Sequence, residues 1–311
     1  MVNGAWTNNG NMAQKEKKRQ WSGKTGGTSW MQRSLVTMMR RIDPRVLYGI
    51  MAFVVPFYMV FSHKGYMSQW HFFRCRMKYG RIKSFICVYK NHFRFGQVIL
   101  DRFAAFAGRK FSISVEGQEI FDKYAIQEKG VMLLGSHVGN YELSGYSLVS
   151  DKKSINAVVF AGETETMMQN RKNILSGHNM NLIPVKEDMS HLFAINNALE
   201  KGDMVSIHAD RAVGKTKKFQ CSFFGSEAGF PAGPFTIAAR RGIPMMALFV
   251  MKERHDAYRI YIKDISETCK TVSGENTSAY EAARIFASEL ENIVRQYPCQ
   301  WFNYYEFWNE D

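Results

Sequence analysis

The sequence predicts an α/β fold, a mainly parallel sheet with helices on both faces, preceded by a hydrophobic and amphipathic N-terminal helical region. Three observations carry that expectation. From about residue 111 onward, short β-rich runs alternate with helical patterns, and parallel strands need such crossovers. Before them, residues 46–62 form a long run without Asp, Glu, Lys or Arg. The charge is also unevenly placed. Residues 1–110 carry 20 Lys/Arg against 3 Asp/Glu and the rest 21 against 25, so the net +13 belongs to the first third. That basic third is suited to an anionic surface. At 46% hydrophobic and 14% aromatic, the 311 residues can bury a large core, which excludes a disordered chain.

Three parts follow in order: a polar basic tail with a Gly-rich turn (1–44), a hydrophobic and amphipathic helical region (45–110) suited to a membrane surface, and an α/β domain (111–311). The first twenty residues are polar and show no cleavable signal peptide. "WSGKTGGTSW" contains Gly-Lys-Thr, but a P-loop requires glycine where Lys18 stands and an apolar strand where "QKEKKRQ" stands. It reads as a Gly-rich turn.

"VLYGIMAFVVPFYMVFS" (46–62) would cover roughly 25 Å as a helix, short of the ~30 Å hydrocarbon core. Pro56 would kink it, and basic residues on both sides give no orientation. A membrane-embedded or re-entrant anchor, a short transmembrane span and a buried core helix are all compatible with it. Beyond it, Ile82, Phe85, Ile86, Tyr89 and Phe93 recur at helical spacing among Arg81, Lys83, Lys90 and Arg94. Such a helix fits either an anionic bilayer interface or the flank of a domain.

In the last two thirds, "FSISV", "VMLLGS", "INAVVF", "NLIPV", "MVSIHA" and "MMALFV" read as strands, with helices at 142–150, 164–177, 188–201, 234–242 and 279–296. An aromatic tail, "YPCQWFNYYEFWNED", closes the chain. The five cysteines (Cys75, Cys87, Cys221, Cys269 and Cys299) are scattered and odd in number, which fits free thiols in a reducing compartment.

In a parallel sheet, chemistry collects where strands end. "VMLLGS" would deliver His137 to such an edge, with Glu142 five residues later across a break at Gly139-Asn140. On one continuous helix the two would stand about 140° apart, so a working pair needs that break. A paired carboxylate would fix the tautomer of His137 and let it take a proton. Alternatively, Glu142 simply favours a helix N-terminus. Asp210 follows another strand and suits either a site or a turn. Arg240 and Arg241 suit either an anionic headgroup or a helix C-terminus, and Pro231-Ala-Gly233 reads as a turn. There is no H-E-x-x-H, His178, His191 and His208 are widely spaced, and no G-x-S-x-G elbow occurs.

"HVGNYE" (137–142) resembles the H-x-x-x-x-[DE] motif of the lysophospholipid acyltransferase superfamily, and within it the bacterial lipid A late acyltransferase family. Further pieces follow in family order. "HADRAVG" (208–214) resembles the block with Asp210 and Gly214, residues 223–250 the Pro-x-Gly and Ala-rich segment, and "YPCQWFNYYEFW" (297–308) the closing segment. The likeness covers roughly 45–308. It departs at Ala232, where the superfamily usually has glutamate, in lacking a Tyr-Arg-Pro-like piece, and in an acidic ending.

The resemblance implies a membrane-associated acyltransferase that moves a fatty acyl chain from an acyl carrier protein or coenzyme A thioester to a lipid hydroxyl, with a lipid A precursor as default acceptor. His137 and Glu142 would be its catalytic pair; Asn140, Arg171, Asp210, Gly233 and Arg240 would bind substrate, Gly233 through a helix N-terminus. No metal, no other cofactor and no nucleic acid is expected. The location implied is the cytoplasmic face of a bacterial inner membrane, held by residues 46–62. A non-enzymatic basic protein of membranes or nucleic acids is the contrasting possibility, which His137→Ala would separate.

Overall fold

A computed structural model describes residues 29–308 apart from 147, 149, 151, 161–178, 187, 212–215 and 274–277. The Gly-Lys-Thr turn, the helix expected at 164–177, Arg171, His178 and Gly214 therefore lie outside the described residues.

From Ser29 to Phe106 the described chain is mostly helical: α1 (Ser29–Met39), α2 (Pro44–Phe61), α3 (His63–His71), a π-helical turn (Phe72–Arg76) and the long α4 (Arg81–Phe106). Asp43 starts α2 by accepting the Arg45 N–H at 2.9 Å, with Pro44 in the first turn, where a missing N–H costs nothing. The helix runs on through Pro56. One side of it packs on α4 at Gly96, where an added Cβ would collide with Met51 Sδ. The other side stays outside: Val46, Ile50, Phe53, Val54, Phe57, Val60 and Phe61 are all exposed. Among the described residues, α2 is the one helix long and apolar enough to cross a membrane, and 22% of it is buried. It is thus not a core helix. Ile82, Phe85 and Ile86 on α4 are exposed as well.

The sheet follows: β1 (Ser112–Glu116), α5 (Gln118–Ala125), β2 (Val131–Gly135), a 3₁₀ turn (Tyr141–Tyr146), β3 (Ile155–Phe160), β4 (Met180–Val185), α6 (Ser190–Glu200), β5 (Met204–His208), the hairpin β6 (Lys218–Phe223) and β7 (Ser226–Pro231), α7 (Ala232–Arg241), β8 (Met245–Lys252), β9 (Ala257–Asp264), α8 (Ile265–Ser273) and α9 (Ala279–Gln296). Seven strands lie in the order β1-β9-β8-β2-β5-β3-β4. All pairs are parallel except β8–β9, so β8, β2, β5, β3 and β4 end at one common edge. Both faces are covered, as continuous apolar strands require. Met132 and Leu134 of β2 join the core around Phe286 of α9, while Val131 and Leu133 join the one around Phe121 and Tyr124 of α5.

All six predicted strands form, and 279–296 is helical over its full length. Of the helix expected at 142–150, the described residues show the 3₁₀ turn Tyr141–Tyr146. Pro231-Ala-Gly233 is not a turn: Pro231 ends β7, and Ala232 begins α7. The hairpin β6–β7, strand β9 and helix α5 come without a sequence expectation.

A buried polar cluster ties the N-terminal helices to the sheet. Lys252 at the end of β8 pairs with Asp101 of α4, and the hydroxyls of Tyr48 and Tyr258 also donate to Asp101. Lys252 is further held by Gln300, whose side chain accepts its N–H at 2.9 Å and donates to its carbonyl at 2.9 Å.

Candidate functional site: a histidine–aspartate pair at the strand ends

β2 and β5 are neighbours with Gly135 opposite His208. Two residues further along each chain stand His137 and Asp210, so the register of the sheet itself brings them together. The carboxylate of Asp210 accepts the backbone N–H of His137 at 2.8 Å, and its other oxygen lies 2.8 Å from Nδ1. That contact places the ring proton on Nδ1 and leaves the Nε2 lone pair for chemistry. Asp210 is almost fully buried, whereas His137 keeps 24% of its side chain accessible. Burial alone would raise the Asp210 carboxyl, but the charge of His137 and its hydrogen bond outweigh this and hold it well below the usual carboxylate range.

The loop carrying His137 is fastened on both sides. Gly139 donates to the Gln300 carbonyl at 2.8 Å, Phe302 donates to the His137 carbonyl at 3.0 Å, and Asn140 donates to the Val250 carbonyl at 2.8 Å. Gly139 has a φ of +53°, and an added Cβ would collide with the Val250 carbonyl oxygen. Only glycine fits there. The aromatic closing segment thus clamps the histidine loop against the end of β8.

Glu142 lies in the 3₁₀ turn and is ion-paired to Arg102 of α4, Nε to Oε1 at 2.9 Å, with both side chains largely buried. The pairing expected between His137 and Glu142 is therefore occupied, at the imidazole Nδ1, by Asp210. Sequence reasoning named Asp210 without joining it to His137, because the two are 73 residues apart. Arg102 went unnoticed, since one arginine in a basic helix carries no local signal.

The remaining candidates separate. Asn140 is buried in the loop, with its backbone N–H on Val250 and its carbonyl accepting from Leu143 at 3.1 Å. Gly233 is exposed in the first turn of α7 with open space around its Cα. Arg240 lies at the other end of α7, which leads directly to Met245, and Met245 pairs with Met132 near the start of β2. That is about 16 Å of strand from His137, at the opposite edge of the sheet. Arg240 is thus separated from the site, and Arg241 binds Asn196 and, at 3.0 Å, Glu200 of α6. Among the described residues no group of His, Cys, Asp and Glu could hold a metal ion.

His208, which carries no role in the sequence expectation, stands in the site. Its ring centroid is 4.6 Å from that of His137 and 4.3 Å from that of Tyr141, which meets it edge-on. Burial, then the charge of His137, push its imidazole down to about 3, so it is neutral at physiological pH. Arg211 donates to the Phe302 carbonyl at 3.2 Å and lies over the Tyr305 ring. The assembly offers a base whose Nε2 has no hydrogen-bond partner among the described residues, and a buried carboxylate to stabilise its protonated form.

No curated protein matches this sequence. Among solved structures it is similar to the crystal structure of the 1-acyl-sn-glycerophosphate (LPA) acyltransferase PlsC from Thermotoga maritima, at 13% identity and a TM-score of 0.38, over 88% of this chain and 99% of that one. The family model described as bacterial lipid A biosynthesis acyltransferase matches residues 98–309, which include β2, β5, His137 and Asp210. The chain belongs to the bacterial lipid A biosynthesis acyltransferase family, and it is an acyltransferase.

Proposed function

We propose that the protein transfers a fatty acyl chain from a thioester donor, an acyl carrier protein or coenzyme A thioester, to a hydroxyl of a lipid A precursor. The observation that carries the reading is the Asp210-held His137 at the strand-end edge, inside the stretch matched by the family. His137 Nε2 takes the hydroxyl proton as the acceptor oxygen attacks the thioester carbonyl. Asp210 stabilises the imidazolium that forms. The tetrahedral oxyanion then collapses, the C–S bond breaks, and the imidazolium returns the proton to the leaving thiolate. Each step uses only this chain's side chains and the two substrates, with no further cofactor. Glu142 and Arg102 support the 3₁₀ turn behind the histidine instead of supplying its carboxylate.

The same reading puts the enzyme on the cytoplasmic face of a bacterial inner membrane. The exposed apolar side of α2, with Ile82, Phe85 and Ile86 of α4, would enter the interface, and the exposed Arg81, Lys83 and Lys90 would meet anionic headgroups. The basic first third would also attract an acidic carrier protein.

Lipid mass spectrometry of cells with and without the gene tests the acceptor. Lipid A species one acyl chain short in the deletion strain are expected. Intact lipid A, with a different lipid class lacking a chain, would replace the acceptor and keep the reaction.

A further inference from the structure

The Asp210 contact fixes His137 along one direction only. A hydrogen bond to Nδ1 leaves the imidazole free to tilt about the bond axis, and a tilt swings Nε2 away from the acceptor. The face of the ring needs its own support. His208 is placed to give it: it closes β5 opposite Gly135, a residue without a side chain to occupy the space, and an added Cβ there would lie 3.4 Å from His208 Cδ2. Its ring lies tilted by 30° against that of His137, at 4.6 Å between centroids. Tyr141 meets the His208 ring edge-on at 81° and 4.3 Å, and it also lies edge-on to His137 itself, 6.3 Å between centroids.

We propose that His208 is a positioning residue for His137: packed at a tilt against the imidazole and braced by Tyr141, it fixes the plane of the base during acyl transfer. The inference rests on the reading of His137 as the base. A second cation 4.6 Å away would oppose the proton that His137 takes up, whereas an uncharged aromatic face supports it. The charged and titratable groups around His208 are His137, Glu142, Asp210 and Arg211, with Tyr141 edge-on. Burial and His137, the largest influences, both disfavour a charge on His208. Its Nε2 is buried and has no hydrogen-bond partner among the described residues.

The test measures kcat and KM for acyl transfer from an acyl carrier protein thioester to a lipid A precursor by the full chain. His208→Ala, which removes the ring, is expected to lower kcat about 10- to 100-fold with KM nearly unchanged, the scale of a small misplacement of a reacting group. His208→Phe, which keeps a stacking ring and discards both nitrogens, is expected to recover most of that loss. Tyr141→Leu should give a smaller loss in kcat, recovered by Tyr141→Phe, and serves if the His208 variants fold poorly. A His208→Phe enzyme as slow as His208→Ala, or a His208→Ala enzyme with normal kcat, overturns the inference. His137→Gln is assayed alongside. If it is inactive while His208→Phe equals His208→Ala, only the positioning role falls; if it is active, the base itself has been misassigned.

Discussion

Asp210 grips His137 at two points, accepting its backbone N–H and facing its Nδ1, each at 2.8 Å. One carboxylate therefore sets both where the histidine loop leaves the sheet and which ring nitrogen carries the proton. The arrangement follows from strand register, since β2 and β5 are paired with Gly135 opposite His208.

Replacing Asp210 with asparagine keeps the shape and removes the charge. An amide can present its NH₂ to Nδ1 and favour the wrong tautomer, so kcat should fall about 10²- to 10⁴-fold. Stability should respond with a particular sign. The carboxyl of Asp210 is depressed in the folded state, so its contribution is complete above the unfolded value near 4 and is lost as pH falls through the lower folded value. Denaturant titrations should find the wild type ahead of Asp210→Asn from pH 5 upward, with the gap closing in acid.

Arg102 and Glu142 form a largely buried ion pair between α4 and the 3₁₀ turn. Removing one partner strands the other, so Arg102→Met and Glu142→Leu should each cost about 3 kcal/mol in urea unfolding. The double variant should cost clearly less than the sum, with a coupling of about 1 kcal/mol or more. Strict additivity would mean that the pair carries no stabilising contact.

The exposed side of α2 should behave as a lipid-contacting surface. Phe53 and Phe57 are 78% and 67% exposed, so replacing both with glutamate removes little from the fold. Each buried phenylalanine is worth about 1.5–3 kcal/mol of transfer. Co-sedimentation with vesicles of phosphatidylethanolamine and phosphatidylglycerol should therefore drop at least about tenfold with the melting temperature little changed. Unaltered sedimentation would remove α2 from the membrane contact.

Much of this fold was legible because its central strands are short, apolar and bounded by turn signals. β8 is buried along all eight residues, and "MMALFV" announces it. The misses have separate causes. β6 and β7 mix polar residues with Gly229 and Pro231 and pair only with each other, so no apolar run marks them. β9 did carry a period-two signal, with Tyr258, Ile260 and Ile262 on one face, but its arginine and lysine hid it. α5 spans eight residues, about two turns, too few for a helical stripe to stand out.

The site was legible in its parts and not in its wiring. His137 and Asp210 stand where strand ends were expected and Glu142 in the turn after Asn140, and nearness in sequence suggests His137 with Glu142. The sheet instead aligns the ends of two neighbouring strands, and strand order is not written in any local pattern. Arg240 illustrates the same limit. Its position depends on the direction in which α7 crosses the sheet, and that direction carries it to the opposite edge.

The most direct measurement is acyl transfer by His137→Gln protein that retains the wild-type circular dichroism spectrum and melting transition. With an acyl carrier protein thioester and a lipid A precursor, turnover should fall by at least about 10³-fold, the combined scale of general-base catalysis and the lost imidazolium–carboxylate pair. Folded His137→Gln protein that transfers the acyl chain at the wild-type rate would contradict the account.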